Sequence, residues 1–227
     1  STTAVYGSAP GDPAVFTETM STASHPRGGY SQDAVEVESF VRGFARRRPD
    51  VEVSVLRLAS VVGAQMSSPF ARYLAMPVVP TVLGFDPRLQ VLHENDAVEV
   101  LRRAALGAPA GVVNVAADGV VTLAQALRMA QRLRVPVPRP ALSAVARIVG
   151  NTGLLDFNDE QTDYLHFGRV VDTTRLHTEF GYRPRLSTVD ALRAHFEAHP
   201  SLPVRSGALA GAELVAGRLF PQLAGGG

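Results

Sequence analysis

The sequence predicts an α/β fold built on a parallel sheet, and three observations carry that prediction. Segments with helical spacing of apolar residues alternate with short segments of strand-like alternation. One such helix is joined to the strand after it by Pro49-Asp50 alone, half of a strand–helix–strand unit, which favours parallel pairing. The chain has 227 residues, 46% hydrophobic and 19% charged, the balance of a globular protein with a sizeable core.

Taken in order, residues 1–6 are β-branched and apolar, end at Gly7, and read as the last turn of a strand. Residues 8–29, rich in Gly, Pro, Ser and Thr, read as a long loop, and a loop of that length in a compact domain tends to be functional. From Tyr30 a helix follows, with Val35, Val37, Phe40, Val41 and Phe44 set among Glu36, Glu38 and Arg42. Arg46, Arg47 and Arg48 place positive charge at its C-terminus. Residues 51–58 alternate as a strand, 67–75 form a short helix, and 81–85 and 89–93 form short strands. Asp96 and Glu99 open a helix to about Leu106, and residues 111–116 are another strand. Thr122 caps a helix to about Leu133, which Pro136, Pro138 and Pro140 break; a further helix is expected over 142–149. Residues 169–172 read as a strand, 173–180 as a short helix, and 187–196 as a helix capped by Ser187 and Asp190.

Composition excludes several chemistries. Cysteine is absent, so disulfides, thiolate metal sites and Cys nucleophiles are excluded. Lysine is absent too: all 22 basic side chains are arginine, which cannot serve as a Schiff-base amine or proton shuttle. A formal net charge of +1 gives no electrostatic footprint for nucleic acid, and no apolar run approaches the ~20 residues of a membrane span. His93, Glu94 and Asp96 invite a metal reading, but a strand-to-helix cap explains them and no second histidine is suitably spaced, so no metal is expected.

Five segments then stand in a specific order: Thr2-Thr3-Ala4-Val5-Tyr6-Gly7; Tyr30 at a helix start; Leu56-Arg57 with Val61-Val62-Gly63; Gln90-Val91-Leu92-His93-Glu94-Asn95-Asp96-Ala97; and Val171-Asp172-Thr173-Thr174-Arg175-Leu176 with Gly181-Tyr182-Arg183-Pro184. This order resembles the extended short-chain dehydrogenase/reductase family, the NAD-dependent epimerase/dehydratase type, over about residues 1–197. The resemblance implies the C-terminal part of a Rossmann-like parallel sheet plus a smaller α/β substrate domain. Residues 1–63 would complete the dinucleotide-binding domain, 64–200 would be mostly substrate-binding with crossings back to the sheet, and 201–227 form an Ala/Gly-rich tail. No glycine-rich pyrophosphate turn follows a strand, so the chain reads as N-terminally truncated relative to the family.

The resemblance also implies hydride transfer with NAD or NADP on a nucleotide-sugar-like substrate. Its hydroxyl relay falls on Thr2 and its acid/base phenol on Tyr30, since hydride leaves carbon only as the alcohol proton departs. The family lowers the phenol pKa from about 10 with a lysine at i+4. Here that position is Ala34, and Arg27 is the candidate neighbouring charge. Ser60 and Val61, just past a strand end, are expected at the cofactor and substrate, with Tyr30 also at the cofactor. Arg88 and Arg169 are expected at the substrate, each offering a fork that matches a diphosphate. The chain is expected in the cytoplasm, with a homodimer through the helix starting at Tyr30 and with no nucleic-acid or membrane partner. The alternative is a non-catalytic relative that binds a dinucleotide or sugar nucleotide as sensor or scaffold, which Ala34 favours.

Overall fold

The computed structural model describes residues 1–22, 29–76, 78–107, 109–139 and 159–200. The helix expected at 142–149, the tail 201–227 and Arg27 lie outside them. The architecture is α/β and Rossmann-like, and among the described residues all strand pairs but one are parallel.

The centre of the fold is a strand that changes partners. β1 (Ser54–Leu58) pairs in parallel with β6 (Gly111–Val115). After Ala59 the chain continues as β2 (Ser60–Val62), now parallel to β5 (Val91–His93). The Ala59 N–H donates to the Val115 carbonyl at 2.8 Å and the Ala117 N–H to the Val91 carbonyl at 2.9 Å, which joins the two pairs at the fork. Beside them β3 (Val78–Val82) pairs with β8 (Leu133–Val137). β4 (Arg88–Leu89) lies between antiparallel β7 (Val121–Thr122) and parallel β9 (Gly168–Arg169).

Seven helices cover these strands among the described residues: α1 (Tyr30–Arg47), α2 (Pro69–Ala75), α3 (Glu94–Gly107), α4 (Leu123–Met129), α5 (Asp159–Phe167), α6 (Thr174–Thr178) and α7 (Thr188–Ala198). Ser68, Thr122 and Ser187 cap α2, α4 and α7 through their hydroxyls, and Gln125 closes a full capping box on α4. One core joins Leu56, Leu92, Val113, Val115 and Leu176; another joins Val62, Tyr73, Leu89, Leu127 and Leu192.

Three expectations are corrected. Residues 1–6 do not form a strand. Thr3–Tyr6 is a 3-10 turn capped by the Thr2 hydroxyl, which accepts from the Ala4 N–H at 3.2 Å, and only one parallel bridge, Thr2 to Leu58, remains. The helix expected to run to about Leu133 stops short, and residues 133–137 form a strand that was not expected. The helix ends at Met129 and Gln131 takes a left-handed φ of 53°. β8 pairs only with β3 among the described residues, and Pro136, lacking an N–H, is tolerated on such an edge. On α1 the buried residues are Ser31 and Glu38, whereas Val37 and Phe40 are 59% and 70% exposed. Glu38 turns inward because a buried arginine on β1 faces it, as described next.

Candidate functional site

Under the turn at residues 3–6 lies a closed polar network. Arg57 of β1 and Glu38 of α1 are 2% and 4% exposed and meet at two points, Nε to Oε1 at 2.9 Å and Nη2 to Oε2 at 2.6 Å. Arg57 Nη1 also donates to the Tyr6 hydroxyl at 2.7 Å, and that hydroxyl donates to Asn114 Oδ1 at 2.8 Å. Tyr6 stacks on Phe16 at 4.9 Å, so the turn and the following loop are fixed to β1 and β6. Burial pushes the Glu38 carboxyl up, but hydrogen bonds from Arg57 and Ser1 and the Arg57 charge outweigh it and hold it below the ordinary value.

This network sets one wall of a cavity of about 510 Å3 at the carboxyl end of β1 and the start of β2. The structure places Thr2, Tyr30, Ser60, Val61 and Arg169 on its walls. Open α/β sheets bind ligands at such a place, outside the strand ends where the order of pairing switches. Thr2 reaches the cavity because it caps the turn, and Tyr30, 65% exposed, because it is the first residue of α1. Ala34, one turn along, carries no charge.

Residues that the sequence did not single out complete the cavity. α5 supplies Glu160, Gln161 and Tyr164, and the α2 region supplies Met66 and Phe70. Glu160 accepts from the Ser31 N–H at 3.1 Å, seating a carboxylate at the first turn of α1 where the helix dipole favours it. The usable sequence signal was the acidic pair Asp159-Glu160 four residues ahead of Tyr164-Leu165, the pattern of a helix start.

Arg169 links this cavity to a second of about 510 Å3, which Arg88, Arg139 and His166 also line. Arg88 donates to the Ala14 carbonyl at 2.7 Å, and Arg169 donates to the Gly7 carbonyl at 2.8 Å and to Ser8 Oγ at 3.2 Å. Burial lowers the pKa of Arg169, opposed by Tyr164, Glu160 and Asp12. His166 packs against Phe85 and Phe167 at 3.8 and 4.0 Å, and burial then Arg139 push its pKa down.

The acidic and histidine residues near β5 are structural. His93 Nδ1 accepts from the Asn95 N–H at 3.2 Å, Glu94 accepts from the Ala64 N–H at 3.0 Å and Gln65 N–H at 3.1 Å, and Asp96 accepts from the Tyr182 hydroxyl at 2.6 Å. Among the described residues no group of three such side chains could hold a metal ion. No helix among them is long and apolar enough to cross a membrane.

The first cavity sets apolar Val61, Met66 and Phe70 beside the hydroxyls of Thr2 and Ser60, a lining whose chemistry suits a nicotinamide ring and its ribose. The chain carries no glycine-rich turn for a pyrophosphate, so the fit concerns that end of a dinucleotide alone.

No family model matches the chain. It is 44% identical over 204 residues to uncharacterized proteins of Mycobacterium tuberculosis and Mycobacterium bovis, a match covering 90% of this chain and 54% of each of those proteins. The chain thus spans about half the length of the curated relatives it matches. Among solved structures it is similar to a UDP-glucose 4-epimerase from Thermotoga maritima with UDP-glucose (16% identity, TM-score 0.61, 87% of this chain and 61% of that one). It is similar to a UDP-glucuronic acid 4-epimerase from Bacillus cereus in complex with NAD (15% identity, TM-score 0.59, 87% and 59%). A dTDP-glucose 4,6-dehydratase from Bacillus anthracis in complex with NAD matches at 16% identity and a TM-score of 0.61, over 87% and 59%. These likenesses establish one thing, the fold: a Rossmann-like α/β architecture shared with nicotinamide-dependent epimerases and dehydratases of nucleotide sugars.

Proposed function

We propose that this chain supplies the nicotinamide and substrate side of an epimerase, dehydratase or reductase acting on a hydroxyl of a nucleotide sugar. The observation that carries this reading is the single cavity lined by Thr2, Tyr30, Ser60, Val61 and Arg169. NAD or NADP, when bound, supplies the hydride chemistry; Ser60, Val61 and Tyr30 would flank its nicotinamide end. Thr2 Oγ1 and Tyr30 Oη would share the proton of the ligand oxygen, and Arg88 and Arg169 would supply the charge for the diphosphate. Val37 and Phe40, exposed on α1, supply the apolar surface for the homodimer in this reading.

The test uses reduced nicotinamide mononucleotide, which needs no adenosine site and fluoresces. We expect saturable binding that UDP-glucose modifies and that Ser60→Trp, which fills the cavity, weakens at least tenfold. Absence of any saturable signal at millimolar probe overturns the reading. Ala34 favours a second reading, a protein of the same fold that binds the same ligands without turnover, and the Ala34→Lys experiment in the Discussion separates the two.

A further inference from the structure

Tyr30 shares the cavity wall with a second phenol whose surroundings are the reverse of its own. Tyr164 of α5 is only 9% exposed, and its ring meets Phe70 edge-on at 5.5 Å. The Arg169 guanidinium lies 5.1 Å from the Tyr164 ring centroid, and the Ser60 hydroxyl is its polar neighbour on the cavity wall. All three residues line the same cavity. The chain has no lysine to set beside Tyr30. The fixed cation of this cavity is Arg169, and it is placed on Tyr164.

A tyrosine that gives up a proton leaves a phenolate, and two neighbours make that phenolate tolerable: a cation close to the ring and a hydroxyl donating to the oxygen. Tyr164 has the cation, which is held in place because Arg169 is anchored to the Gly7 carbonyl and to Ser8, and the Ser60 hydroxyl is the neighbour able to donate. Glu160, on the same helix, and Asp12, in the loop, are the acidic groups that also act on Arg169.

We propose that Tyr164, with Ser60 as its hydrogen-bond relay and Arg169 as its counter-charge, is a second proton donor of this cavity. The proton passes from Tyr164 Oη to an oxygen of the bound ligand. The electron pair of the broken O–H bond stays on the phenolate, the Ser60 Oγ–H points at it, and Arg169 balances its charge. Burial raises the Tyr164 pKa, with Arg169 and Ser60 opposing, so the resting side chain is the protonated form that a donor needs. The inference rests on the cavity accepting a ligand with a hydroxyl or carbonyl oxygen, as proposed above.

The test incorporates 3-fluorotyrosine, whose more acidic phenol brings buried tyrosines into an accessible pH range, and follows each fluorine signal by NMR. Tyr164→Phe and Tyr30→Phe assign the two signals. In Arg169→Met the Tyr164 midpoint rises by about one unit or more, as loss of a close opposite charge requires. In Ser60→Ala it rises by less, and the Tyr30 midpoint stays put in both. A Tyr164 midpoint unmoved by either replacement overturns the proposal; if Arg169→Met fails to fold, the Ser60→Ala titration decides alone. Fluorescence of reduced nicotinamide mononucleotide is measured on the same samples. Loss of probe binding with an intact Tyr164 response sinks the hydride-transfer reading and not the phenol–arginine coupling.

Discussion

Glu38 and Arg57, from a helix and a strand 19 residues apart, form a two-point ion pair with almost no solvent access. Removing one partner strands a buried charge, which costs about 3–5 kcal/mol. Glu38→Gln or Arg57→Met should therefore lower the urea midpoint sharply. Because the pair also holds Tyr6, either change should loosen residues 3–6 and the Thr2 wall of the cavity.

The same pair fixes an acid response. Glu38 has a folded pKa below its unfolded value, so its contribution to stability is present above about pH 4.3 and is lost as pH falls through the folded value. Urea midpoints measured from pH 7 to 3 should decline in that window, and Glu38→Gln should flatten the decline.

His195 acts at higher pH. Its ring is 1% exposed, its Nδ1 contacts the Gly63 carbonyl at 2.9 Å, and its Nε2 is buried without a partner among the described residues. Burial first, and His199 with it, push its pKa down against the Gly63 contact. The unfolded chain binds that proton more readily, so stability falls as pH drops below about 6.5. His166 moves in the same direction. His195→Gln should remove its own share of the slope between pH 7.5 and 5, read as urea midpoints, and leave the remainder.

Ala34→Lys places an ammonium one helical turn from Tyr30. If the chain works in hydride transfer, ligand oxidation in the variant should become efficient at lower pH and faster at neutrality, by at least tenfold, in a nicotinamide absorbance assay. No turnover in either form, with ligand binding retained, identifies the binding protein.

Gly168 should tolerate no side chain. Its φ is +72°, and a Cβ there would run into the backbone of Arg88 on the neighbouring strand. Gly168→Ala should cost at least about 1 kcal/mol from backbone conformation alone and more from the clash, measured by denaturant unfolding. It should also weaken nucleotide binding, since Arg88 and Arg169 flank that contact.

The elements legible in the sequence were those with local signals. Thr122 and Gln125, Ser187 and Asp190, and the alternation ending at Leu58 all act within a few residues, and the structure has a helix start or strand at each. What escaped was set by partners distant in sequence. Residues 133–137 carry two prolines' worth of helix-breaking signal nearby, and only the presence of β3 turns them into a strand. Glu38 sits among charges that spacing assigns to solvent, and Arg57, with Ser1, draws it inside. On the cavity wall, Thr2 and Tyr30 were visible as a resemblance and Ser60 as a residue just past a strand end, whereas Tyr164 and Glu160 come from a helix whose acidic start is legible but whose docking on the cavity is not.

The fork at Ala59 ties two strand pairs to one run of backbone. A molecule lodged against Ser60 therefore cannot stiffen one pair without the other. Amide hydrogen exchange should slow together at Val91–His93 and Val113–Val115, two segments well separated along the chain, when the first cavity fills.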